Sequence, residues 1–187
     1  MDKIAKQFTD IIIRYSILIL SAFPNFFLFY FVFIPLTIYP VYFLLSLFFE
    51  SSLMGNIVLV NQIPIEIINA CIAGSAYYLL FILNLSIPNI KIKKRIKMIF
   101  LAFASLLILN ILRIFFLSLM VIKDSVWFEI THMFFWYTLS IVFVLGIWFF
   151  EVKFFKINQT PFYSDLKFMY KNSNLKKFKS SKSANKD

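Results

Sequence analysis

The sequence predicts an all-α polytopic membrane protein with about four transmembrane helices, and with apolar chain enough for five or six. Three observations predict it. The 187 residues are 61% hydrophobic and 15% charged, against roughly 45 to 50% and about 25% in an ordinary soluble domain. The apolar residues gather into runs of about twenty, the length that crosses a hydrocarbon core of ~30 Å at ~1.5 Å per residue. The basic residues avoid those runs and cluster beside them. Twenty-six Phe in so short a chain exceed what one aqueous core can hide, so lipid must solvate much of the surface. Three Gly without a repeat exclude collagen, and the wealth of Ile, Leu and Phe excludes a disordered chain.

The first run extends from about Ile11 to Ile34, behind Lys3, Lys6 and Arg14. No A-x-A site interrupts it, so it reads as a retained span and not a cleaved signal peptide. Pro24, Pro35 and Pro40 punctuate the apolar stretch that continues to Phe49. Residues 36–49 are therefore a kinked continuation, an interfacial helix or a short second span, and one crossing followed by a segment on the outer face is the favoured expectation. Ile57-Val58-Leu59-Val60 and Ile63-Pro64-Ile65 flank Asn61-Gln62, the signature of a short β-hairpin, expected as a cap or rim on the outer face.

A second run, Ile67 to Ile87, ends at Pro88-Asn89 before Lys91, Lys93, Lys94, Arg95 and Lys97. A third, Met98 to Ile122, carries Arg113 in its outer half and leaves at Lys123-Asp124-Ser125; a fourth, His132 to Phe150, returns to a second basic segment. From Lys153 onward nine Lys face only Asp165 and Asp187. Excess Lys and Arg in short loops and flanks mark the cytoplasmic side, and anionic headgroups reinforce the placement. The net charge of +10 is thus read as membrane topology, not nucleic-acid binding. Four spans with both termini inside satisfy every anchor: residues 1–156 form the membrane domain, and residues 157–187 a basic cytoplasmic tail, largely disordered from about Tyr170.

This topology brings three chemically unusual residues to the outer side, although 42 and 19 residues separate them in sequence. Cys71 falls about 6 Å below the outer end of its span and His132 at the outer end of its own, while Arg113 lies ~13 Å from the end of its helix. Each has a plain structural reading: a lone cysteine as small apolar filler, a histidine at an interface, an arginine that snorkels or pairs with Glu129. An intramembrane arginine nevertheless normally faces a bundle interior or a wet cavity. Together the three supply nucleophilic catalysis: a thiolate attacks a carbonyl, an imidazole carries the proton to the leaving amine, and a fixed cation steadies the anion.

Asn110 stands three residues before Arg113 and shares its helix face, where its amide orients the guanidinium, donates to the oxyanion, or bonds a neighbouring helix. Asn69 and Ser75 flank Cys71 as further lining candidates, and Glu129 either orients His132 or caps the fourth helix. One cysteine and one histidine are too few for a protein-supplied metal site, and no Gly-rich phosphate loop or internal repeat appears. Neither metal nor cofactor is expected.

Asn69-Ala70-Cys71-Ile72-Ala73-Gly74, then Asn110-Ile111-Leu112-Arg113-Ile114, then His132 resemble, in order and membrane setting, the three signature blocks of the exosortase/archaeosortase family, in its short, archaeosortase-like branch. The resemblance spans about Leu36 to Phe150. The family's first block is usually A-C-S-G or A-C-T-G; here Ile72-Ala73 make it one residue longer. What the resemblance implies is a cysteine transpeptidase or peptidase that recognises a C-terminal tripartite signal on secreted proteins: a short motif, a transmembrane helix and a basic cluster. Cys71 would form a thioester near the motif, on the outer face of the cell membrane, and an amine-bearing membrane lipid or another nucleophile would release it. The alternatives of another class are a small transporter, with Arg113 and His132 lining a polar pathway, and a non-catalytic assembly subunit in which Cys71 is packing.

Overall fold

The computed structural model describes residues 3–23, 26–136, 140–157, 161 and 163–172. Along the chain these form α1 (Lys3–Ala22), α2 (Phe27–Ser46), β1 (Ser51–Met54), β2 (Ile57–Val60), β3 (Ile63–Glu66), α3 (Asn69–Ile72), α4 (Gly74–Leu85), α5 (Ile92–Ile122), α6 (Phe128–Phe134), α7 (Ser140–Phe154) and α8 (Tyr163–Asn172). The protein is mostly helical with one small sheet. Among the described residues α2 and α5 are long and apolar enough to cross a membrane. Much of their apolar surface faces outward: Phe31 and Phe100 are 69% and 73% exposed, as expected of helices that lipid solvates.

The 31-residue α5 is the mast of the bundle, packed against α2, α4 and α7 along its length. Its core contact is aromatic. Phe33 stacks on Tyr77 at 3.6 Å, and Phe103 of α5 meets both rings edge-on, at 5.5 and 5.6 Å, the geometry that ring quadrupoles favour.

The single helix expected over Ile11 to Ile34 is two helices. α1 ends at Ala22 and α2 begins at Phe27 after Phe26, which adopts a left-handed φ of 59°, and α2 then runs without interruption through Pro35 and Pro40 to Ser46. The favoured outer-face segment after residue 35 is therefore replaced by a helical continuation. Packing explains why two prolines are tolerated: a helix that buries Phe29, Phe33, Ile38, Val41 and Leu45 against its neighbours gains more than two missing N–H groups cost it. The two halves follow α4 from its C-terminal to its N-terminal end. Arg14 reaches the Leu85 carbonyl, Leu18 accepts from the Tyr78 hydroxyl at 3.0 Å, Phe29 meets Tyr78 at 5.9 Å, and Tyr30 lies beside Gly74.

The expected hairpin is present as β2 and β3, joined by Asn61-Gln62 with φ of 47° and 70°, the mirror-image turn that suits strand twist. Ser51–Met54 adds a third strand, giving the order β1-β2-β3, antiparallel throughout. Four residues, two of them Ser, carry too little alternation to be read as a strand. Val58 and Val60 are fully buried and join the sheet to the helical core.

At the opposite end of the bundle the basic segment is largely helical, since α5 begins at Ile92 and so includes Lys93, Lys94, Arg95 and Lys97. Arg95 donates to the carbonyls of Asn84, Leu85 and Ile87 at 3.1, 2.6 and 2.9 Å, satisfying the last two carbonyls of α4, which lack a helical partner, and one just beyond its end. Arg14 adds a bond to Leu85 at 3.2 Å and pairs with Asp165 at 3.0 Å. Asp165 belongs to α8, which lies in the expected basic tail and runs on to Asn172, just past the point, about Tyr170, where disorder was expected to begin. That buried ion pair, with Phe8 against Phe168 at 5.3 Å, docks α8 on α1. Residues 158–160, 162 and 173–187 of the expected tail lie outside the described residues.

Candidate active site

The cysteine sits on one helical turn that the chain cannot continue. After α3, Ala73 takes a left-handed conformation, φ 59° and ψ 40°, and α4 starts afresh at Gly74. A left-handed residue ends the helical hydrogen-bond ladder, so the carbonyls of Cys71 and Ile72 need other donors. Asn110 and Arg113, one turn apart on α5, provide them. Asn110 Nδ2 donates to the Cys71 carbonyl at 2.9 Å and to that of Ile72 at 3.4 Å, and Arg113 Nη2 donates to the Cys71 carbonyl at 3.2 Å. The Cys71 N–H donates to Ile68 at 2.8 Å. The cysteine backbone is thus held at both ends. Gly74 makes the arrangement possible, because a Cβ there would stand 2.8 Å from the Tyr30 ring.

Cys71, Arg113 and His132 line one cavity of about 280 Å³. Its walls are Ile65, Ile67 and Ile68 from the end of the sheet, Ile114, Leu117 and Val121 from α5, and Phe128 from α6; Glu66 and Ser118 are its other polar residues. His132 is half-buried, with its ring parallel to Phe128 at 5.6 Å and edge-on to Trp136 at 6.0 Å. These aromatic contacts fix the plane of the imidazole. Cys71 is a free, half-buried thiol.

A second cavity of about 280 Å³ lies on the other side of Arg113, lined by Tyr30, Asn69, Ser75 and Trp136 among others. Arg113, itself buried, is the wall the two cavities share. The sequence-derived candidates therefore separate. Cys71, Arg113 and His132 meet in the apolar cavity, Asn110 supports the cysteine turn from behind, and Asn69 and Ser75 face the neighbouring cavity. Glu129 stands apart: it is exposed in the first turn of α6, and among the described residues no hydrogen bond joins it to His132. Glu66, Ser118, Tyr30 and Trp136 were missed. Only Ser118 had a sequence signal, since Ile114, Leu117, Ser118 and Val121 form an i, i+3, i+4, i+7 stripe facing the cavity.

Among the described residues no three His, Cys, Asp or Glu side chains gather as a metal site. Chemically, the apolar cavity offers the Cys71 thiol as a nucleophile, the His132 imidazole and the Glu66 carboxylate as acid–base groups, and the Arg113 cation beside a carbonyl-rich turn. Comparisons with protein-family models, curated proteins and solved structures returned no match to this chain.

Proposed function

We propose that this chain is a membrane-embedded cysteine peptidase or transpeptidase of the exosortase/archaeosortase kind, acting on C-terminal sorting signals of secreted proteins at the outer face of the cell membrane. The observation that carries the reading is the meeting of Cys71, Arg113 and His132 in one cavity, from three elements distant in sequence. The Cys71 thiolate attacks the scissile carbonyl, and the C–N bond breaks as His132 hands its proton to the leaving amine. The resulting thioester is then opened by an amine-bearing lipid or by water, which returns the proton and frees the thiol. Arg113 holds the cysteine turn through its carbonyl and sets a positive charge beside the sulfur, where it favours the thiolate.

In this reading the chain crosses four times. α1 and α2 together make the first crossing, α3 with α4 the second, α5 the third, and α6 with α7 the fourth, leaving both termini inside. Helix length supports the depth of the site. From Arg95, at the basic end, to Arg113 is a rise of about 27 Å along α5, close to a ~30 Å hydrocarbon core. Arg113 and Cys71 then sit at the outer boundary, where a signal helix with a basic inner end presents the bond that follows its motif.

The test is co-expression with a C-terminally tagged secreted protein carrying such a tripartite signal, comparing the wild-type chain with Cys71→Ala by immunoblot. Tag loss that requires Cys71 is the expected result. Tag loss of equal extent with Cys71→Ala would make the cysteine structural and overturn the proposal.

A further inference from the structure

The sheet beside the cavity has an open side. Among the described residues β3 pairs only with β2, and the register, with Ile67 N–H bonded to the Asn56 carbonyl at 2.9 Å, makes Ile63, Ile65 and Ile67 the residues whose backbone groups bond the neighbouring strand. Pro64 and Glu66 alternate with them, so their backbone groups point the other way, off the edge of the sheet. Proline is found at such edge positions because it has no N–H to lose to the ladder. Glu66 is different: it offers both an N–H and a carbonyl, two residues from the Pro64 carbonyl, which is the spacing an added strand uses. Glu66 also lines the cavity that holds Cys71, five residues before the cysteine. The open edge therefore leads into the site.

We infer that the free edge of β3 is the docking rail for the peptide substrate: an extended segment adds to the sheet through the backbone of Pro64 and Glu66, and this delivers its scissile carbonyl to Cys71. The inference rests on the peptidase reading above. An extended peptide is the occupant that fits, because the edge offers alternating backbone donors and acceptors and no charged cluster, and β-strand addition uses those groups for affinity. Ile65, Ile67, Leu117 and Phe128 then give the cavity an aliphatic and aromatic lining suited to an apolar side chain next to the scissile bond.

The probe is acetyl-Ile-Val-Ile-Val chloromethyl ketone, whose alkylation of Cys71 is followed by intact mass and divided by the rate with chloroacetone, which has no backbone to pair. Strand addition predicts a period of two. N-methylation of one amide should slow the peptide reagent about three- to tenfold, the effect of one lost hydrogen bond, while N-methylation of the adjacent amide changes little. Glu66→Pro, which removes the edge N–H without touching the β2 ladder, should lower the peptide-to-chloroacetone ratio by a similar factor. Equal effects of adjacent N-methyl groups on the unmodified protein would overturn strand docking even if Glu66→Pro failed to fold, and would leave Cys71 as nucleophile intact. Failure of both reagents to alkylate Cys71 would overturn the docking and the peptidase reading together.

Discussion

Arg113 touches the cysteine through its backbone, and that fixes what its removal should do. Its Nη2 donates to the Cys71 carbonyl at 3.2 Å beside the 2.9 Å bond from Asn110, so the guanidinium both orients the turn and charges the cavity. Arg113→Ala should slow alkylation of Cys71 by iodoacetamide about tenfold, because the thiolate fraction loses its nearest fixed cation. Arg113→Lys should recover part of that rate, since an ammonium keeps the charge but not the planar fork. An Arg113→Ala protein alkylated at the wild-type rate would remove the electrostatic role. The pairing of Asn110 with Arg113 on one face was legible from their three-residue spacing. Their target was not, since it exists only because Ala73 turns left-handed and frees the carbonyls behind it, and nothing in Ile72-Ala73 announces that turn. Glu129 shows the converse, as a carboxylate three residues from His132 that faces solvent.

At the scale of elements, the interruption between α3 and α4 is what turns an apolar helix into a candidate site, and Gly74 is where it is built. The residue lies under the Tyr30 ring, with a hypothetical Cβ 2.8 Å from two ring carbons. Gly74→Ala should therefore lower the midpoint of thermal unfolding in detergent by several degrees. In a Tyr30→Ala background the same substitution should leave the midpoint unchanged or raise it slightly, because the clash is gone and Gly74 is the first residue of α4, where glycine costs less than the about 0.5–1 kcal/mol it costs in a helix interior. A destabilisation of equal size in both backgrounds would place the conflict elsewhere. Elements were read unevenly from the sequence. The β2–β3 hairpin and the direction of α5 follow from strong patterns, a two-residue Asn-Gln turn between β-branched runs and an apolar run behind a basic segment. The break between α1 and α2 was missed, and Pro35 and Pro40 were given breaking power they do not exert inside a packed helix. α8 was missed because its order comes from a partner 151 residues away, Arg14 against Asp165, which no local composition can reveal.

Seen as a whole, the molecule has two polar ends joined by an apolar middle. One end gathers Arg14, Arg95 and Asp165, and ties α1 to α8 through a buried pair at 3.0 Å; the other carries the sheet, Cys71, Arg113 and His132. The contact between α1 and α8 brings the first and last described helices to the same end, the arrangement that the four crossings proposed above call for. The charge pattern of the sequence pointed the same way, with basic segments at residues 91–97 and beyond 153. The about 27 Å between Arg95 and Arg113 along α5 separates the two ends by nearly one hydrocarbon thickness, so they should meet different aqueous phases. Cys71, the one cysteine of the chain, makes the consequence measurable without engineering. A membrane-impermeant maleimide applied to intact spheroplasts should label Cys71, and prior treatment with a small neutral thiol reagent should block that labelling. A protease applied to the same spheroplasts should leave a C-terminal tag intact until the membrane is permeabilised. Labelling of Cys71 only after permeabilisation, with a tag cleaved in intact spheroplasts, would invert the protein in the membrane and turn the cavity away from every secreted substrate.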